Sequence, residues 1–458
     1  MKTTFSGWRY LWKSQDIRRK LLVTVLVLVI YRLASNVPVP GINATALGQL
    51  MQSLRGTGTF MDFLDLLSGG TVSRFSLLAM GVYPYITAQI IIQLLTPIIP
   101  ALQRRMEEDP REGRKWMDKW TYYLSVPMAT LSAIGQINIF NSYAVQGGMG
   151  SIIDFGFTST LWLPSLAILL AMIGGTMFAI WLGELISEYG IRGQGLSLII
   201  FAGIVSRMPA NFQQIWADQN SRWVMTIVML VIIVLTIFVI VFVQQGRRNV
   251  PVMYPGRRVG NRMSMPVKGT LPLMVNLAGM IPLIFASAIL QFPTIIASWF
   301  TNPNKYSEGV VNFATGVQNT FGGTSGIYWL LYFLFVVVFT FFYTDVMFSQ
   351  QNYGENLKKV GAQIQGVVRG APTQKYLTKV QRRITFPGAL FLGLVAVLPY
   401  LISVLLKAVG VSAATSSSTL FLVSSAGLLI VVGVVRDTFL NIDAELKLHG
   451  YDDAHLVK

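Results

Sequence analysis

Leu196-Ser197-Leu198-Ile199-Ile200-Phe201-Ala202-Gly203-Ile204-Val205 is a short apolar run set between Arg192 and Arg207. Whether it crosses a bilayer decides how every later segment faces. By length alone it falls below the roughly 20 residues of a membrane-spanning helix and reads equally well as a re-entrant or buried segment. The charges around it settle the matter. The segment ahead of the first apolar span carries Lys2, Arg9, Lys13, Arg18, Arg19 and Lys20. The loop after the second carries Arg104, Arg105, Arg111, Arg114, Lys115 and Lys119. The stretch 246–269 carries Arg247, Arg248, Arg257, Arg258, Arg262 and Lys268 and no acidic residue. Basic residues accumulate in cytoplasmic loops, and these three loops share one side only if 196–205 crosses. The expected spans are therefore ten, at 20–36, 74–98, 118–138, 161–184, 191–207, 223–244, 271–298, 327–348, 384–406 and 417–436, with both termini cytoplasmic.

Composition agrees with an all-α polytopic membrane protein. Of 458 residues, 53% are hydrophobic and 12% charged, about half the charged share of a soluble domain. A membrane β-barrel would show alternating segments of about ten residues, and the runs here are continuous. The first run, Leu21 to Leu33, is followed by no small-residue cleavage site, so a removable signal is not expected. There is no cysteine, and the histidines are His449 and His455 in the tail. No phosphate-binding Gly-Lys motif and no His-Glu-x-x-His occurs. The sequence thus offers no catalytic residue, no metal ligand and no cofactor site. Ionisable residues near the spans (Arg32, Glu184, Glu188, Asp345 and Arg436) sit toward span ends, where side chains reach the interface. A coupled transporter places such groups inside the spans. A small-solute secondary transporter is the alternative reading, and it lacks a visible midplane site.

The loops 246–269 and 349–383 are long, basic and rich in Gly and Pro. They read either as topology signals drawn to anionic lipid or as a docking surface for an acidic or RNA-bearing partner. The candidates are Arg247, Arg248, Arg257, Arg258, Lys358, Lys359 and Arg369. Some spans carry small or polar residues: Pro84, Thr87, Gln89 and Gln93; Gly174, Gly175 and Thr176; Asn276, Gly279, Pro282 and Ser287. Close helix packing explains such residues. A sharper reading makes spans two and seven a seam that opens. Pro84 and Pro282 would weaken each helix, and Thr87, Gln93 and Asn276 would hold the seam through replaceable hydrogen bonds.

Six separated blocks carry a specific resemblance. They are Phe63-Leu64-Asp65-Leu66-Leu67-Ser68-Gly69-Gly70 with Gly81-Val82-Tyr83-Pro84-Tyr85-Ile86-Thr87-Ala88-Gln89; Pro38-Val39-Pro40-Gly41; Trp181-Leu182-Gly183-Glu184; Gly195 to Val205; Leu271-Pro272-Leu273 with Asn276 and Ala278-Gly279-Met280-Ile281-Pro282; and Phe342-Tyr343-Thr344 with Asn356-Leu357-Lys358-Lys359. In their order along the chain they resemble the SecY/Sec61-alpha family of translocon channels, over nearly the whole chain. The resemblance implies ten helices in two inverted halves, 1–208 and 209–458, around an hourglass pore. It implies a pore ring of Val82, Ile86, Leu196, Ile200, Ile284 and Ile430, and a lateral gate at Pro84, Thr87, Gln93, Asn276 and Pro282. It implies a plug at about 60–71, with Phe60, Phe63, Leu64, Leu67, Ser68, Gly69 and Gly70; without the resemblance that stretch reads as a structural outer segment. The implied activity is passive, gated passage of unfolded secretory chains across an inner membrane, with sideways release of transmembrane segments into lipid. The implied partners are SecE-like and SecG-like small subunits, a SecA-like motor ATPase, the translating ribosome, and signal peptides with their nascent chains. One departure concerns the motor: Val368 occupies the place where relatives carry an arginine that engages partners, and Arg369 follows it.

Overall fold

In lipid, backbone polar groups must be satisfied within the protein, so long apolar segments fold as helices. The computed structural model describes residues 14–54, 71–72, 74–146, 152–156, 161–193, 195–217, 222–255, 258–259, 262–263, 267–301, 307–321, 325–408 and 414–448. Its helices, in chain order, are α1 (Gln15–Ala34), α2 (Ala44–Leu54), α3 (Tyr83–Ile98), α4 (Pro100–Glu108), α5 (Pro110–Gln146), α6 (Trp162–Tyr189), α7 (Gly195–Ala217), α8 (Arg222–Gln245), α9 (Ile281–Ser298), α10 (Glu308–Phe321), α11 (Gly326–Gln350), α12 (Tyr353–Lys359), α13 (Ala371–Ala408) and α14 (Ala414–Leu448). Ten of these answer the ten expected spans, and α2, α4, α10 and α12 are short additions. Among the described residues, four segments are long and apolar enough by themselves to cross a membrane: Trp162–Tyr189, Ile281–Ser298, Gly326–Lys359 and Ala371–Leu398. The doubtful run at 196–205 is only the front of α7. That helix continues past Pro209 to Ala217 and reaches 23 residues, about 34 Å at 1.5 Å per residue.

Two expected spans begin later than hydropathy suggests. Residues 74–82 are not helical; they fold into buried turns ahead of α3. Phe75 and Gly81 there have φ of 45° and 51°, in the left-handed region that ends right-handed helices. Their backbone groups find partners all the same. Val39 N–H donates to Phe75 O at 3.1 Å and Leu77 N–H to Val37 O at 2.9 Å, while the Thr71 hydroxyl donates to Leu78 O at 2.9 Å. Irregular backbone at membrane depth survives when it is enclosed in protein like this. Likewise 271–274 belongs to a strand, and α9 starts only at Ile281.

The basic stretch 246–269 holds structure that the all-helical expectation missed. β1 (Arg247–Tyr254) pairs antiparallel with β4 (Val267–Met274), Arg247 opposite Met274 and Tyr254 opposite Val267. A smaller pair, β2 (Arg258–Val259) with β3 (Arg262–Met263), lies between them in sequence. Pro251 demotes this run as a strand on sequence grounds. Its ring is tolerated because the other edge of β1 faces outward at that parity. Met253 sends its N–H to Gln363 O and receives Gln363 N–H, both at 2.8 Å. Two residues back, Pro251 lacks an N–H on the same outward edge.

The interior divides into apolar clusters. One joins Leu47, Leu50, Phe75, Ile137, Phe140, Ile153 and Met172 from α2, α5, α6 and the loops beside them, with Phe75 edge-on to Phe140 at 4.9 Å between centroids. Asn141 ties a loop to this cluster. Its Nδ2 donates to Ile153 O at 2.9 Å, and its Oδ1 accepts from the N–H groups of Ile152 and Ile153 at 3.1 and 3.2 Å. Another cluster unites the hairpin with the second basic loop through Val250, Val252, Leu273, Phe348, Leu357, Ile364 and Leu377.

Candidate functional site

α3 and α9 open with the same local structure. Gly81 (φ 51°) and Gly279 (φ 62°) take conformations that favour glycine. The N-cap residue follows, Val82 at φ −93°, ψ 5° and Met280 at φ −94°, ψ −8°. A proline comes next in the first helical turn, Pro84 and Pro282. At that position proline removes no helical hydrogen bond, and its fixed φ suits the helix. The expectation that these prolines weaken their helices is therefore corrected: they start them. The repeat places Val82 in register with Met280 and Ile86 with Ile284.

Of the six expected ring residues, Val82, Ile200 and Ile430 are buried in one apolar cluster, with Ile86 and Leu196 half-buried against it. Ile284 is buried at 5% exposure but belongs outside that cluster. Leu198, Ile199, Val434 and the half-buried Met280 fill in around the five. Met280 was not singled out by the sequence reading, although the spacing Gly81-x-x-Pro84 against Gly279-x-x-Pro282 pairs it with Val82. The expected plug residues Phe60, Phe63, Leu64, Leu67, Ser68, Gly69 and Gly70 lie outside the described residues.

The seam between α3 and α9 is closed by packing. Ile90, Ala278, Phe285 and Tyr343 are buried together, with Ile86, Leu94, Ile281 and Phe339 against them. Phe285 meets Phe339 and Tyr343 edge-on at 5.9 and 5.8 Å. The hydrogen bonds expected across this seam run elsewhere. The Thr87 hydroxyl donates within its own helix, to Pro84 O at 2.9 Å. Asn276 Nδ2 donates to Gly279 O at 3.2 Å, and its Oδ1 has no partner among the described residues. Gln93 is half-buried. A short polar side chain beside a free carbonyl of its own turn satisfies itself locally, which spacing alone does not reveal. Of the small residues in span four, Gly175 takes the close approach. A Cβ there would run into the Leu77 carbonyl, whereas Gly174 faces open space.

The basic loops form one surface. Arg247 and Arg248 are exposed at the base of the hairpin, where Val275 N–H closes onto Gly246 O at 2.9 Å. Arg258 lies in β2, and Arg257 lies outside the described residues. Lys358 and Lys359 are exposed in the last turn of α12, where cations favour the helix C-terminus, and Lys359 pairs with Glu355 at 3.7 Å. Val368 is 73% exposed. Arg369 turns back so that its guanidinium donates to Gln363 Oε1 at 3.3 Å, the same Gln363 whose backbone pairs with Met253. Glycines of positive φ, Gly366 and Gly370, bracket this tip. Nearby, Arg382 grips Asp345 through Nε–H to both carboxylate oxygens at 3.0 Å.

Ten helices at the ten expected spans, an apolar cluster gathered from several of them, and exposed basic loops fit a polytopic helical membrane protein. The chain belongs to the SecY family, whose model matches residues 76–439. It is 37% identical to the protein translocase subunit SecY of Aquifex aeolicus (strain VF5) over 439 residues, covering 95% of this chain and 96% of that protein. It is 34% identical to the protein translocase subunit SecY of Escherichia coli (strain K12) over 442 residues, covering 96% and 94%. Among solved structures it matches a protein conducting channel with a TM-score of 0.61 at 17% identity, covering 96% of this chain and 95% of that one. It also matches, with a TM-score of 0.62, a SecY structure reported with a plug domain that stabilises the closed state of its channel.

Proposed function

We propose that this chain is the passive, gated protein-conducting subunit of an export translocase. The observation that carries the reading is the gathering of Val82, Ile86, Leu196, Ile200 and Ile430 in one apolar cluster. Apolar side chains at a narrow point exclude ions by dewetting. They impose no bonding pattern on what passes, so chains of many sequences can thread between them. Ile284 completes the ring from α9. The halves 1–208 and 209–458 part between α3 and α9, and the repeated Gly-x-x-Pro starts of those helices fit two copies of one plan. Residues 60–71 act as the plug. The basic face is cytoplasmic, as are both termini, and the membrane is the bacterial inner membrane. There the hairpin and the 349–383 loop receive a SecA-like motor or a translating ribosome, and SecE-like and SecG-like subunits sit at the rim. Energy comes from those partners.

The test is site-directed photocrosslinking in vesicles with a stalled secretory chain. Probes at Ile86 and Ile284 are expected to capture the chain. A probe at Phe238, 70% exposed on the outer face of α8, is expected to capture none. Export that proceeds with no crosslink from either ring position would exclude this ring as the path.

A further inference from the structure

α9 also packs against α5. Ile295 lies three turns past Ile284, toward the end of the helix away from the basic loops. At Gly135 the two helices come close: a Cβ there would stand 2.5 Å from Cγ2 of Ile295. Two turns further along α5, Ser142 Oγ lies 2.9 Å from Thr301 Oγ1, linking residues 159 apart in the chain. Each hydroxyl also has a carbonyl of its own segment in reach, Asn138 O at 2.8 Å for Ser142 and Ser298 O at 2.9 Å for Thr301.

A hydroxyl has one proton to donate. Two protons therefore serve three oxygen–oxygen contacts, and the link between helices forms only when one hydroxyl turns from its own carbonyl. When the helices part, both hydroxyls donate to their own carbonyls, and no donor is stranded. The closed arrangement has a cost beside it as well. Gln136 and Thr294, next in sequence to Gly135 and Ile295, are 6% and 3% exposed. Gln136 Oε1 and Thr294 Oγ1 find no hydrogen-bond partner among the described residues. Buried polar atoms without partners disfavour the state that buries them, and opening wets them.

We propose that Gly135 with Ile295 and Ser142 with Thr301 form a release clasp between α5 and α9. These four are positioning residues that hold the gate near balance between closed and parted, and parting presents Gln136 and Thr294 to an entering polypeptide. The proposal rests on the channel reading above.

The complete translocase in vesicles tests it through three readouts: export of a normal secretory chain, export of a chain with a weakened signal sequence, and resting leak of iodide. Gly135→Ala is expected to raise leak and weakened-signal export several-fold while normal export persists. Adding Ile295→Ala, which makes room for the methyl group, should return both to wild type. Ser142→Ala should act in the same direction, and it decides the matter if Gly135→Ala fails to assemble. Gly174→Ala, whose Cβ meets nothing within 4 Å, should change nothing. Gly135→Ala and Ser142→Ala both matching Gly174→Ala, in vesicles that export normally, would overturn the clasp and leave the channel standing. Wild-type vesicles with all partners that export nothing would overturn the channel reading and the clasp with it.

Discussion

At the scale of the residue, the glycines separate two kinds of constraint that sequence does not distinguish. Gly279 needs its positive φ but has no neighbour within 4 Å of a Cβ. Gly175 is ordinary helix, but the Leu77 carbonyl blocks it. Gly279→Ala should then cost only backbone strain, about 1 kcal/mol. Gly175→Ala must push α6 from the buried turns and should cost clearly more. Thermal unfolding of the purified protein in detergent, read side by side, checks the order, and equal midpoints would refute it. Asn141 gives a sharper case. Truncation to alanine removes three hydrogen bonds at once and leaves buried N–H and C=O groups of 152–153 unpaired, at about 1–3 kcal/mol for each group stranded. Asn141→Ala should therefore lower the unfolding midpoint more than Gly279→Ala. Asn141 is a polar residue inside a helical run and drew no notice in the sequence, because its partners arrive from a loop eleven residues on.

The elements were legible to the extent that hydropathy and charge speak for them. Ten helices stand where ten spans were expected, and the short run at 196–205 is the front of one of them. What hydropathy blurred were the starts of α3 and α9. Residues 74–82 and 271–280 continue the apolar runs of the helices they precede, but positive φ at Phe75, Gly81 and Gly279 and the pairing of 271–274 into β4 keep them out of the helices. The proline signal was seen and given the wrong sign, since helix-breaking and helix-starting prolines differ only in position. The β1–β4 hairpin went unread because Pro251 and Pro272 argue against strands unless the free edge is known. That edge carries a prediction. Gln363→Pro removes the N–H that bonds Met253 O, and should uncouple the two basic loops, giving faster protease cutting within 247–274. Pro251→Val restores an N–H on the same outward edge and disrupts no ladder bond, so cutting should stay at the wild-type rate. Cutting that is equally fast in both variants would mean that the strand edge plays no part.

For the whole molecule, the net charge of +16 is uneven in what it can do. The spans are nearly bare of charge, and Val82, Ile86, Leu196, Ile200 and Ile430 share an apolar cluster. The exposed cations at the hairpin base and on α12 therefore join those of the 104–119 loop in the field that an approaching partner meets. The sequence left two readings of those charges open, lipid attraction and partner docking, because both need only basic residues in a loop. The structure adds that 247–254 and 353–369 share a core and a strand bridge, so their charges are presented on one rigid face. Lys359 is partly answered by Glu355, whereas Arg369 binds the neutral side chain of Gln363 and keeps its net charge. If that face docks ribosomal RNA, affinity must fall with salt as counterions return, with a slope set by the number of phosphates neutralised. Arg247→Gln combined with Arg248→Gln should then flatten the slope of log K against log salt by about 0.7–0.9 for each phosphate no longer neutralised. Lys359→Gln should flatten it less, its charge being already shared. Ribosome binding to vesicles of neutral lipid, titrated from low to high salt, measures this. A slope unchanged by the double arginine variant, together with reduced association with anionic vesicles, would assign these charges to the membrane surface instead.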